Sequence, residues 1–198
     1  AAFARHATPA AQALVDRLDD DPRPLLGALS TLPRTGLHGD LKLANVAFLD
    51  ERRVALIDWQ MTALAPVAIE LGWLLVTNSA SLPESPETTL GRYRAAVEAT
   101  SGAPLSLSPP FDPNVAYPAS ALEATAGSDS QPTFRSVDEV LGDWDAQLDL
   151  TWIVGLLLRG WRKGIDAERG AVLGSGVPAA DDLAWWCSMA TEAAGRRL

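Results

Sequence analysis

The 198-residue sequence holds one cysteine, Cys187, and two histidines, His6 and His38. A single thiol excludes an internal disulfide, and such a chain fits a cytoplasmic setting. Cys187 lies beside Trp185 and Trp186 in an apolar helical stretch, so a buried structural thiol is expected there rather than a nucleophile. No Cys or His pair stands at zinc-ligand spacing. Basic residues are also scarce: 16 Lys and Arg face 25 Asp and Glu, for a net charge of −9. That balance argues against a nucleic-acid partner, which a basic patch would announce. Long apolar runs are missing too. The most apolar segment, Leu148 to Trp161, is interrupted by Asp149, Thr151 and Arg159 and is shorter than the roughly 20 residues a membrane span needs. There is no Walker-type phosphate loop and no Ser-His-Asp order that stands out. The opening Ala1-Ala2-Phe3-Ala4-Arg5 lacks Met and carries no secretory pattern, so a piece of a longer protein is expected.

What is present is an ordinary globular balance, 47% hydrophobic and 21% charged, enough for one domain with a real core. Thr8-Pro9 marks a helix start, a hydroxyl cap followed by proline at the first helical position, and Ser85-Pro86 repeats that signature. Pro66 to Thr77 is apolar nearly all round and reads as a buried helix. Ser136-Val137-Asp138-Glu139 is a capping box, from which one helix is predicted to run to about Lys163. Asp181 to Arg197 closes the chain as an amphipathic helix. The segment of about 101–135 holds Pro104, Pro109, Pro110, Pro113, Pro118 and Pro132; such composition disfavours regular structure, and the segment reads as an insertion. Only Asn45–Leu49 and Arg53–Ile57 lean towards strand, separated by a polar Asp50-Glu51-Arg52 turn, so a single small hairpin is predicted in a mostly α chain.

The chemistry gathers around that hairpin. Leu37-His38-Gly39-Asp40-Leu41-Lys42-Leu43-Ala44-Asn45 precedes it, and Val54-Ala55-Leu56-Ile57-Asp58-Trp59 closes it. Phosphoryl transfer needs a group to accept the substrate hydroxyl's proton. It also needs oxygen ligands for Mg²⁺, which favours one or two carboxylates together with phosphate oxygens. Asp40 suits the first need. Asn45 and Asp58, brought to one edge by a tight hairpin, suit the second. The competing structural reading is that Asp40 and Asn45 make turns and Asp58 caps a helix.

The segments 37–45 and 54–59 resemble the catalytic loop and metal-binding strand end of the aminoglycoside/choline phosphotransferase-like kinases. The resemblance implies a protein-kinase-like C-terminal lobe, ATP or GTP as phosphate donor, Mg²⁺, and a small-molecule alcohol as acceptor. It implies Asp40 as catalytic base, Asn45 and Asp58 as metal and nucleotide ligands, and His38 as a support of the loop. Lys42 stands where this family often has His and matches the Asp-Leu-Lys run of protein kinases, which implies a charge-stabilising role. Ala65 and Glu70 stand where the family usually has two aspartates, the second of which braces the catalytic loop; Glu70 takes that place here. Acidic groups on large-lobe helices of this family can hold cationic substrates, which makes Asp145 and Asp149, at i, i+4 spacing, candidates for an amine or quaternary ammonium. The residues before Asp40 read as helical and leave no room for the strand-rich nucleotide-covering N-terminal lobe, which is expected elsewhere in the full-length chain. The reading of a different class is a pseudokinase-like helical module that binds a partner without catalysis.

Overall fold

A computed structural model describes residues 2–51, 53–78, 81–100 and 136–198; the insertion read at 101–135 lies outside them. Three helices open the chain: α1 (Ala2–His6), α2 (Pro9–Asp20) and α3 (Arg23–Ser30). Four three-residue strands follow: β1 (Thr35–Leu37), β2 (Val46–Phe48), β3 (Val54–Leu56) and β4 (Ala63–Ala65). The remaining described elements are helices: α4 (Val67–Asn78), α5 (Pro86–Thr100), α6 (Val137–Val140), α7 (Trp144–Glu168) and α8 (Ala179–Arg197). The fold is mostly α with a small hairpin, as expected of the C-terminal part of a kinase-like protein. Among the described residues, no helix is long and apolar enough to cross a membrane.

The helix starts follow from their caps. Thr8 Oγ1 accepts from Ala11 N–H at 3.2 Å, and Ser85 Oγ accepts from Thr88 N–H at 3.2 Å, each satisfying one of the donors a helix N-terminus leaves without a partner. Ser136 and Glu139 form the reciprocal capping box. The single helix predicted from that box to Lys163 is instead two. Gly142 takes φ +57°, a conformation open to glycine, and Asp143 then caps α7 by accepting from Ala146 N–H at 3.0 Å. The buried Gln147 holds this corner, donating to Leu141 O at 2.9 Å and accepting from Ala68 N–H at 3.0 Å.

The core lies along α7, which packs against α8 on one side and α4 on another. Leu150, Ile153 and Leu156 meet Leu183, Trp186 and Ala190 from α8 and Leu71 and Leu75 from α4. Full burial of side chains of this size contributes roughly 1.5–3 kcal/mol each. Two glycines allow the close packing of α7 against its neighbours. A Cβ on Gly72 of α4 would lie 2.8 Å from Thr151 O, and one on Gly155 would lie 3.2 Å from Gly72 O and 2.6 Å from the Trp186 ring of α8. Cys187 is fully buried in this core, and burial pushes its thiol pKa up, which suits packing and not reactivity.

The strands form two separate antiparallel pairs. β2 pairs with β3 in the register Val46↔Leu56 and Phe48↔Val54, which is the predicted hairpin. β1 pairs with β4, Thr35 opposite Ala65 and Leu37 opposite Ala63. This second pair was not expected from the sequence. It closes a ring of chain around residues 38–62 and sets their two ends side by side at the start of α4.

Candidate active site

The loop after β1 is held from several directions. Gly39 takes φ +83°, and a Cβ there would lie 2.0 Å from Met61 O, so only glycine fits this crossing. His38 is buried, with Nε2 at 2.8 Å from Ile57 O and Nδ1 at 3.3 Å from Asp40 N. A carbonyl only accepts and an amide N–H only donates, so this network assigns the ring proton to Nε2. The His38 ring also packs on Trp59, centroids 4.6 Å apart. It thereby ties the loop of residues 38–42 to the strand that leads to Asp58.

Glu70 lies in the first turn of α4 and is buried. Its carboxylate accepts from Gly39 N–H at 3.1 and 3.2 Å and from Leu41 N–H at 3.2 Å. The helix N-terminus favours a negative charge at that position. The two amides it binds flank Asp40, so the carboxylate fixes the backbone on both sides of that residue. Farther along the same helix, the buried Asn78 accepts from Leu43 N–H at 3.0 Å and donates to Leu74 O at 2.6 Å.

Asp40 is the convergence point. Its Oδ2 accepts from Lys42 Nζ at 2.6 Å and from Asn45 Nδ2 at 3.1 Å. Its Oδ1 accepts from Trp73 Nε1 at 3.0 Å. The Lys42 hydrogen bond holds the Asp40 carboxyl below the usual carboxylate range; burial opposes it, and Asn45 and Trp73 add to the lowering. A carboxylate has about four acceptor sites, so three donors leave one open, on Oδ1.

Asn45 is buried. Its amide nitrogen is committed to Asp40, to the backbone O at 2.9 Å as well as the carboxylate, and no described residue donates to its Oδ1. Ile57 N–H donates to Asn45 O at 3.0 Å, which sets Asn45 and the residue after Ile57 at the same end of the hairpin. That residue, Asp58, has φ 68° and ψ 56°, the only positive φ outside glycine among the described residues. Such a backbone costs energy and concentrates at functional sites. The helix-cap role that competes for Asp58 is not filled: its side chain makes no cap hydrogen bond to the 3-10 turn Trp59–Met61, and no described residue pairs with it. Among the described residues, no three His, Cys, Asp or Glu side chains cluster as a metal site. The set of one carboxylate and one amide oxygen fits Mg²⁺ only with phosphate oxygens and water completing its shell.

The two acids weighed for substrate sit apart from this cluster. Asp149 is buried on α7 and accepts from Arg196 at 2.6 Å and from Arg197 at 2.7 Å. Asp145 shares with it a cavity of about 510 Å³ that none of the Asp40 cluster lines. A cation at Asp149 would have to displace two guanidinium groups. Burial alone would raise the Asp149 pKa, but the hydrogen bonds and charges of Arg196 and Arg197 outweigh it and lower it. A depressed folded pKa contributes stability that is full above the unfolded value near 3.9 and lost as pH falls through the folded value. Asp149→Asn is therefore expected to destabilise at pH 7 by about 1–3 kcal/mol, with the gap to the parent protein closing below about pH 4. Thermal melts of both proteins across that range check it, and a gap that persists unchanged at low pH would exclude the ion pair as its source.

Three residues in or beside the site were not anticipated from the sequence: Trp73, Asn78 and Arg159, whose guanidinium lies 4.8 Å over the Trp73 ring. Glu70, Trp73 and Asn78 fall on one broad face of α4 at helical spacing, a signal available once Glu70 is placed against the loop. A family model described as a phosphotransferase enzyme family (APH) matches residues 2–108, more than half of the chain and all of the Asp40 cluster except Arg159. Neither a curated protein nor a solved structure matches the chain.

Proposed function

Because this chain belongs to the phosphotransferase enzyme family, we propose that it transfers the γ-phosphoryl group of ATP or GTP to a hydroxyl of a small molecule, with Asp40 as proton acceptor. The observation that carries this reading is the convergence of Lys42, Asn45 and Trp73 on one carboxylate whose flanking amides are clamped by Glu70. An oriented acid of this kind, with one lone pair open, is what a hydroxyl needs to be aligned for attack.

In the reaction, the acceptor's oxygen bonds to the γ-phosphorus as the bond from that phosphorus to the β–γ bridging oxygen breaks. The hydroxyl proton passes to Asp40, and the nucleoside diphosphate leaves with the electron pair. The transition state of such transfers is loose, so positioning and charge stabilisation matter more than base strength. This is compatible with a carboxylate kept weakly basic by Lys42. Lys42 has three donors, of which Asp40 uses one, and can also face the transferring phosphate. Asn45 Oδ1 and the Asp58 carboxylate would hold Mg²⁺, which when bound neutralises charge on the phosphate oxygens.

Phe48, Val54, Ile57, Trp59 and Met61 are each more than half exposed around the hairpin. Large apolar side chains left exposed beside a reaction centre call for a cover, and in the full-length protein we assign that cover to a nucleotide-binding lobe. The test of the metal assignment is Asp58→Ala. It is expected to raise the Mg²⁺ concentration for half-maximal turnover by roughly 10–100-fold, the scale seen when the surroundings of a bound metal are altered. Mg²⁺ titrations of nucleotide-dependent phosphorylation measure it, and an unchanged midpoint would remove Asp58 from the metal site.

A further inference from the structure

Resting on the phosphotransferase reading, we propose that Arg159 is the specificity-determining residue for the acceptor, and that the acceptor alcohol carries an oxyanion, a carboxylate or a phosphate. A cavity of about 330 Å³ opens between α4, α7 and α8, lined by Thr77, Arg159, Arg162, Lys163, Asp166 and Asp182 among others. Its size suits a small ligand. The two acids in its wall are already engaged. Asp166 pairs with Arg162 at 3.3 Å, and Asp182 pairs with the buried Lys163. Arg159 is different: no carboxylate among the described residues pairs with it. Its guanidinium lies 4.8 Å over Trp73 and 5.9 Å from the centre of Trp161, so aromatic rings hold it while its N–H donors keep capacity for a ligand. A guanidinium held in this way is pre-organised for the planar, two-point recognition of an oxyanion.

A second observation points to a ligand at the same wall. Thr77 Oγ1 is buried and has no hydrogen-bond partner among the described residues, a state that costs free energy unless something occupies it. The cavity also has a direct link to the chemistry. The ring that Arg159 covers is the one whose N–H donates to Asp40 Oδ1. One indole therefore separates the anion donor from the oxygen with the open lone pair. An acceptor with its hydroxyl a few bonds from its anionic group could meet both.

The test uses the full-length protein and four small alcohols that differ in charge: glycerate, glycerol phosphate, glycerol and ethanolamine. The indole N–H signals of Trp73 and Trp161, assigned with Trp73→Phe and Trp161→Phe, report binding by NMR whether or not transfer occurs. Glycerate or glycerol phosphate, or both, should move these signals, while ethanolamine and glycerol should not. Which of the two anions binds more tightly tells a carboxylate site from a phosphate site. Arg159→Met keeps the length and the packing on the rings and should weaken anion binding roughly tenfold to a hundredfold, the range for losing a charge-assisted bidentate contact. Arg159→Lys keeps the charge without the fork and should fall between, and it serves if the methionine variant does not fold. In transfer assays, the loss should appear mainly in KM for the anionic acceptor. Anion binding without any phosphoryl transfer would leave the oxyanion site standing and bring down the phosphotransferase reading. Transfer to ethanolamine or glycerol with no response to either anion would do the reverse. Anion binding undiminished in Arg159→Met and Arg159→Lys would overturn the assignment of Arg159.

Discussion

Asp40→Asn in the full-length protein is expected to lower kcat by roughly 10²–10⁴-fold, the cost of losing a positioned acid–base group. The substitution changes the one carboxylate on which Lys42, Asn45 and Trp73 converge. An amide can still accept from Trp73 through its oxygen, but its NH₂ then faces two other donors, Lys42 Nζ and Asn45 Nδ2. That conflict should cost about 1–2 kcal/mol of stability, visible as a small drop in Tm. Nucleotide affinity should change little, because the nucleotide and metal contacts are assigned to Asn45 and Asp58. In the parent enzyme, the lowered pKa of Asp40 keeps it ionised at every pH above the ordinary carboxylate value near 3.9. The acidic limb of kcat/KM attributable to Asp40 should therefore lie below that value and be missing in the variant. Turnover by Asp40→Asn at the parent rate would take Asp40 out of the reaction, whereas absence of turnover in the parent protein itself would leave the non-catalytic binding module as the better reading.

How far the sequence exposed this site depends on how local each part is. Asp40, Asn45 and Asp58 were legible because five residues and one short hairpin join them, and the geometry of a tight hairpin leaves little freedom in where its ends meet. Glu70 was legible only through the family pattern, and its substitution for aspartate left open whether it reaches the loop. The structure places its carboxylate on the Gly39 and Leu41 amides, so the longer side chain does reach the loop. Trp73, Asn78 and Arg159 carry no motif; their roles exist only after α4 and α7 are packed around the loop. The β1–β4 pair was missed for a similar reason. Its strands are three residues long and pair Thr35 with Ala65, so neither alternation nor a turn signal marks them. The break at Gly142 did have a signal, glycine followed by a capping aspartate, but the apolar period running through it looked continuous. Asp145 and Asp149 show the limit of local spacing. Their i, i+4 spacing suggested a cationic substrate, while the cations that meet Asp149 in the structure are Arg196 and Arg197 at the end of α8.

Glu70→Ala is expected to be nearly as damaging as loss of Asp40 although Glu70 touches no reacting atom. The carboxylate is buried and is the only described acceptor for the Gly39 and Leu41 amides. Removing it leaves two part-buried N–H groups without partners beside a glycine at φ +83°. Unmade bonds of this kind cost about 1–3 kcal/mol each, so the protein should lose several kcal/mol and melt several degrees lower. The loop then has no reason to keep Asp40 within the geometry that transfer requires, and misplacement on the order of 1 Å is enough to lower turnover about 10²-fold. The loss should fall on kcat rather than on KM for the nucleotide, since Asn45 and Asp58 are held by the hairpin. Glu70→Gln retains one acceptor oxygen in the same place and should recover part of both stability and kcat. Glu70→Asp restores the family's usual residue but is one methylene short on this backbone, so it should reach one amide and not both. Melting temperature and kcat measured together for the three variants decide the matter. A graded kcat that follows the number of retained amide contacts supports Glu70 as the residue that positions Asp40. A lowered Tm with kcat unchanged in Glu70→Ala would reduce it to a structural acid.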